Sequence, residues 1–101
     1  MSVVLVGGMN RLKRHYVREA DRLGISLKVY NSPGVSMRSG VRNVDAVVMF
    51  TNKVSHRAKR EVELAAREKD IPVYMHHSCG VCTLRDCLRC LKKGRRSRHR
   101  S

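Results

Sequence analysis

Apolar and polar positions along this chain switch between two rhythms. Val3 to Val6 is an unbroken apolar run closed by Gly7 and Gly8, the pattern of a strand buried on both faces. From Asn10 the period lengthens. Leu12, Tyr16, Ala20 and Leu23 recur on one helical face, with Asn10 placed to cap the helix and Gly24 to stop it. Ser26 to Tyr30 alternates and predicts a second strand, followed by the turn cluster Asn31-Ser32-Pro33-Gly34. Val35 to Val44 fits a short helix or an irregular crossover. Asp45 then introduces Ala46 to Phe50, the most strand-like run in the chain. A second helix leaves the turn Thr51 to His56, with Ser55 or Asn52 as its cap, and carries Ala58, Val62, Ala65 and Ala66 inward to an end near Asp70. Ile71 to Met75 reads as a fourth strand, opened by Pro72.

This order predicts an α/β fold: a small doubly wound, mostly parallel sheet of four strands in the flavodoxin-like order 2-1-3-4. Residues 1–78 make up the α/β domain, residues 79–91 a cysteine-rich segment packed on it, and residues 92–101 a basic tail expected to be disordered when free. Ligands of such sheets bind along the edge where the strands end. That edge is expected to carry Gly7, Gly8, Thr51, Asn52, Ser55, His56, His76 and His77.

Two glycines before a helix suggest an anion cradle, since free backbone N–H groups there face an oxyanion. Neither the dinucleotide fingerprint nor the P-loop is present. One functional reading is therefore a phosphate-ligand binder or small enzyme using Gly7, Gly8, Thr51, Ser55 and His56. His56 is its candidate acid/base or ligand group. No Ser/His/Asp set accompanies it.

Composition changes the picture most through charge. The chain has 22 basic and 8 acidic residues. Six of the basic ones, Lys92, Lys93, Arg95, Arg96, Arg98 and Arg100, lie in the last ten positions, so 16 against 8 remain without them. A field of this sign attracts polyanions, nucleic acid first among them. Arg11, Arg14, Arg18 and Arg22 line up opposite the apolar face of the first helix and join the tail as candidate phosphate contacts. No apolar run approaches the roughly 18 residues of a membrane span. The opening run stops at Gly7 without a basic segment before it, so it is expected to be a strand and not a signal peptide, and the protein to be cytoplasmic.

All four cysteines fall within twelve positions, spaced C-x2-C-x4-C-x2-C: Cys79, Cys82, Cys87 and Cys90. In a reducing compartment such a cluster points to a metal ion, an iron–sulfur cluster or redox chemistry before structural disulfides. A straight helix would set Cys79 and Cys90 about 16 Å apart along its axis. Either the chain turns between the two pairs, at Arg85-Asp86, to make a four-thiolate site, or the two pairs act separately. Zinc and an iron–sulfur cluster stay equally open, because four residues is a tight spacer for zinc and only partly matches a ferredoxin spacing. His76 or His77 is available as a further ligand, but adjacent strand residues point to opposite faces, so at most one faces the site. Against these readings stands a stripe of Leu84, Leu88 and Leu91, beside which the thiols pack as small hydrophobes. An incomplete cysteine set is also open to completion by a second chain.

The run Val4-Leu5-Val6-Gly7-Gly8, Asp45-Ala46-Val47-Val48, the turn Thr51-Asn52-Lys53-Val54-Ser55-His56, Ile71-Pro72 and Ser78 together resemble a small bacterial family catalogued as a domain of unknown function. The resemblance covers residues 2 to 78 and implies a compact α/β fold in a cytoplasmic bacterial protein. It implies no activity. The four-cysteine segment and basic tail lie outside it.

Overall fold

The computed structural model describes residues 1–30, 35–77 and 80–93. Four parallel strands, β1 (Ser2–Val6), β2 (Ser26–Tyr30), β3 (Ala46–Phe50) and β4 (Val73–His76), form one sheet in the order β2-β1-β3-β4. Helices α1 (Lys13–Arg22), α2 (Val35–Arg42), α3 (His56–Glu68) and α4 (Val81–Lys93) cover it. The doubly wound α/β reading and its strand order both hold. The ambiguous stretch between the second and third strands is a helix as far as Arg42, and the fourth strand starts two residues late, beyond Pro72.

Pleating divides β1 between two cores. Val3 and Leu5 join Ala46, Val48 and Phe50 under α1 and α4, with Tyr16, Ala20, Leu84, Leu88 and Leu91. Val4 and Val6 join Val47 and Met49 on the other face, against Val41 of α2 and Val62, Ala65 and Ala66 of α3. Two helices thus lie on each face, the placement that right-handed crossovers impose on this strand order. β1 and β3 have every residue from Val3 to Val6 and from Ala46 to Phe50 buried, which is why they read as continuous apolar runs.

The helix ends follow local chemistry. α1 stops in a Schellman turn: Ile25 N–H donates to the Ala20 carbonyl at 2.9 Å and Gly24 N–H to Asp21 at 3.0 Å, with Gly24 at φ +73°. α3 stops in the same way, Ile71 N–H donating to Ala66 at 2.9 Å, but Asp70 occupies the left-handed position at φ +55°. At its start the Ser55 hydroxyl accepts from Ala58 N–H at 3.1 Å, so Ser55 is the cap. Asn10 does not cap α1. It begins a 3₁₀ turn, Asn10–Leu12, through which the chain enters the helix.

α4 corrects the sequence reading. It runs without interruption through Arg85 and Asp86, where a turn was expected, because Leu84, Leu88 and Leu91 recur at helical spacing and all three are buried against the α1 face of the sheet. It also reaches Lys93, into the segment expected as tail. The rest of that tail, residues 94–101, and the turn Asn31–Gly34 lie outside the described residues.

Candidate nucleic-acid interface

α1 connects the end of β1 to the start of β2, so it runs antiparallel to the strands with its N-terminus at the edge where they end. Its apolar face is fixed by Tyr16 and Ala20 in the core. The opposite face is therefore fixed too. It carries Arg11, Arg14, Arg18 and Arg22, all exposed. Arg11, Lys13, Arg14, His15 and Arg18 line an open groove of about 710 Å³ along the helix, with Asp21 the one acid in its wall. Arg22 lies beyond the groove and pairs with Glu19 at 3.7 Å. Lys13 and His15 flank the arginine row on either side of Arg14. They were legible from the helical wheel but stand outside a reading that follows a single row.

On α4, Arg89 and Lys92 are exposed. The Lys92 ammonium lies 3.8 Å from where a Cβ on Gly24 would stand, against the C-terminal turn of α1, where a cation complements the helix dipole. Of the remaining candidate contacts, Lys93 ends α4, and Arg95, Arg96, Arg98 and Arg100 lie outside the described residues.

Several polar groups along the sheet edge expected to hold a small phosphate ligand have partners within the chain. Gly7, at φ +91°, donates its N–H to the Tyr30 carbonyl at 3.1 Å. Met9 N–H donates to the Tyr16 hydroxyl at 3.2 Å. A Cβ on Gly8 would stand 2.7 Å from Cε2 of Tyr16 and 3.2 Å from Leu5. The glycine pair is thus explained by one left-handed backbone position and one close ring contact. Ser55 spends its hydroxyl on the α3 cap, and His56 is exposed on the first turn of that helix, lining a shallow groove with Arg57, Lys59 and Arg60. Thr51 has a partner that sequence spacing did not reveal: its Oγ1 lies 3.1 Å from Nδ1 of His77.

The thiols separate by environment. Cys87 is buried among the leucines, while Cys82 and Cys90 are exposed, and all three are free. Arg85 Nη2 donates to Cys82 Sγ at 3.3 Å. Burial, and secondarily the neighbouring Cys90, pushes the Cys87 thiol up to about 11. Cys82 and Cys90 are eight residues apart on one helix, about 12 Å along its axis. Sulfurs on one zinc each lie about 2.3 Å from it, so these two cannot share an ion. Among the described residues no three Cys, His, Asp or Glu side chains stand together as a metal site; Cys79 lies outside them.

The match to a bacterial family, described as an uncharacterized protein conserved in bacteria (DUF2325), covers residues 2–91. The chain belongs to this family. The match continues past residue 78 to residue 91, two residues short of the end of α4, so the cysteine segment falls within the matched span. No curated protein is similar enough to match it. Among solved structures the chain is similar to a de novo designed Rossmann fold protein, at a TM-score of 0.60 and 13% identity over 86% of this chain and 92% of that one. That likeness concerns the fold alone. No helix among the described residues is long and apolar enough to cross a membrane.

Proposed function

We propose that this member of the family is a nucleic-acid-binding α/β module that acts through phosphate contacts. The observation that carries the reading is the α1 groove, where four permanent cations and a histidine face solvent against a single acid. Arg and Lys on one helix face neutralise phosphates and release condensed counterions, a sequence-independent source of affinity. The net charge of +14 draws the ligand in from a distance. The test is binding of a labelled duplex by the parent protein and by Arg14→Ala/Arg18→Ala. The double variant is expected to bind at least tenfold more weakly at low salt. Equal binding would remove the reading.

A second reading keeps the thiols as chemistry. Cys87 and Cys90 lie about one helical turn apart, and Cys90 adds to the effect of burial in raising the Cys87 thiol. One straight helix supplies at most this close pair, so a zinc ion or iron–sulfur cluster held by four thiolates would take its other ligands from a second chain. Metal analysis of anaerobically prepared protein, read together with its oligomeric state, decides it. A metal-free monomer is the result that ends this reading.

A further inference from the structure

Helices are ordinarily stabilised by acids in the first turn and cations in the last. Here none of the four helices has an acid in its first turn. α3 opens His56-Arg57-Ala58-Lys59-Arg60, and its acids begin only at Glu61. Arg57 is paired with Glu61 at 3.5 Å yet stays 83% exposed, and His56, Arg57, Lys59 and Arg60 line a groove of about 500 Å³ in which Glu63 is the one acid. Meanwhile Asp45 and Asp70 flank the opposite edge of the sheet, before β3 and after α3. The first turns of α1 and α3, at the edge where the strands end, carry no acid, and cations stand where the helix dipole opposes them. Local stability does not explain that placement; an anionic partner at this edge does.

We infer that the N-terminal half of α3 is a second phosphate-contacting surface, and that it and the α1 groove engage one nucleic-acid duplex presented to this edge of the sheet. The inference rests on the polyanion reading and adds a site and a partner class to it. α1 and α3 lie on opposite faces of the sheet, so one partner touching both must be extended. The aromatic side chains select the duplex over a single strand. Tyr16 and Phe50 are buried, and Tyr30 and Tyr74 are half-buried and packed against the two cores. Proteins that hold single strands stack the bases on exposed aromatic rings, and none of the four aromatics is fully exposed or lines the α1 or α3 groove. Without stacking, affinity comes from counterion release, which is larger per phosphate for a duplex (about 0.9) than for a single strand (about 0.7).

The test compares the full-length parent, Arg57→Ala/Lys59→Ala/Arg60→Ala and Arg14→Ala/Arg18→Ala, by fluorescence anisotropy. The probes are a duplex of mixed sequence, the same duplex scrambled, and one of its strands. The α3 variant is expected to lose at least tenfold in duplex affinity and to lower the slope of log K against log salt by about 2 to 3, with no change on scrambling. Its melting temperature is expected to equal or exceed that of the parent, because the lost cations oppose the α3 dipole. Duplex binding by the α3 variant equal to the parent's, or tighter binding of the single strand, overturns the inference. If the α1 variant alone loses affinity, phosphate binding stands and the α3 surface falls. If neither variant loses affinity, the underlying reading falls with it.

Discussion

The Thr51 hydroxyl lies 3.1 Å from Nδ1 of His77 and 3.4 Å from the His76 carbonyl, tying the end of β3 to the residue after β4. A carbonyl only accepts, so a hydroxyl that donates to His76 must accept from His77. That arrangement sets the proton on Nδ1 and leaves the Nε2 lone pair facing outward. Nitrogen NMR of the imidazole is expected to show the Nδ1–H tautomer in the parent and its loss in Thr51→Val. The variant should also be less stable by about 1 kcal/mol. An unchanged tautomer would contradict the assignment.

Gly8 and Tyr16 depend on each other. A methyl group on Gly8 meets the Tyr16 ring at 2.7 Å, and that ring is held at 6.0 Å from Phe50 in the core and by the Met9 N–H on its hydroxyl. Gly8→Ala should therefore destabilise the fold by about 1 to 3 kcal/mol, and Tyr16→Phe by about 1 kcal/mol through the orphaned Met9 N–H. Denaturant titration measures both. A neutral Gly8→Ala would show that the ring moves freely.

The two ends of α3 should respond in opposite directions. Ser55→Ala removes the hydroxyl that accepts from Ala58 and is expected to cost about 1 kcal/mol. Asp70→Gly relieves a left-handed residue at φ +55° and is expected to raise stability by about 1 kcal/mol. Thermal melts of the two single variants check the signs.

Cys87 makes stability fall at alkaline pH. Burial, with Cys90 as the lesser cause, holds its thiol at about 11 in the folded chain, whereas the ordinary value for a thiol, taken for the unfolded chain, is 9.0. Below the unfolded value both states are protonated and the contribution is complete. As pH rises toward 11 the unfolded chain loses its proton first, so the contribution is progressively lost. The loss is on the order of 3 kcal/mol from a shift of about two units. Other groups titrate in the same window, so the comparison is with Cys87→Ala, whose stability should decline less between pH 8 and 11. Parallel declines would contradict the burial argument.

The strands were legible in the sequence because a strand buried on both faces must be apolar throughout, and β1 and β3 are. Alternation of strands and helices, with the handedness of crossovers, narrows the topology to a doubly wound sheet; the choice of 2-1-3-4 among such orders rested on likeness to the flavodoxin arrangement and not on any residue. The course of α4 is set by its leucine stripe and not by the cysteine spacing, which on its own suggests a turn. Leu84, Leu88 and Leu91 repeat at i, i+4 and i+7, and their burial outweighs any need to gather thiols. The Thr51–His77 contact was not legible at all. It joins residues 26 apart through the Phe50–His76 register, a property of the assembled sheet and not of either segment. The basic face of α1 was legible as a row of arginines. Its width, with Lys13 and His15 added, emerged only once Tyr16 and Ala20 fixed the rotation of the helix.

Phosphate neutralisation by α1 is what drives binding in this reading of the protein. The most direct measurement is the dependence of duplex affinity on salt for the unmodified protein, between about 50 and 200 mM. Four or more phosphates neutralised by the groove predict a slope of log K against log salt of about −4 or steeper. A slope near zero, or no binding at the lowest salt, would contradict the account.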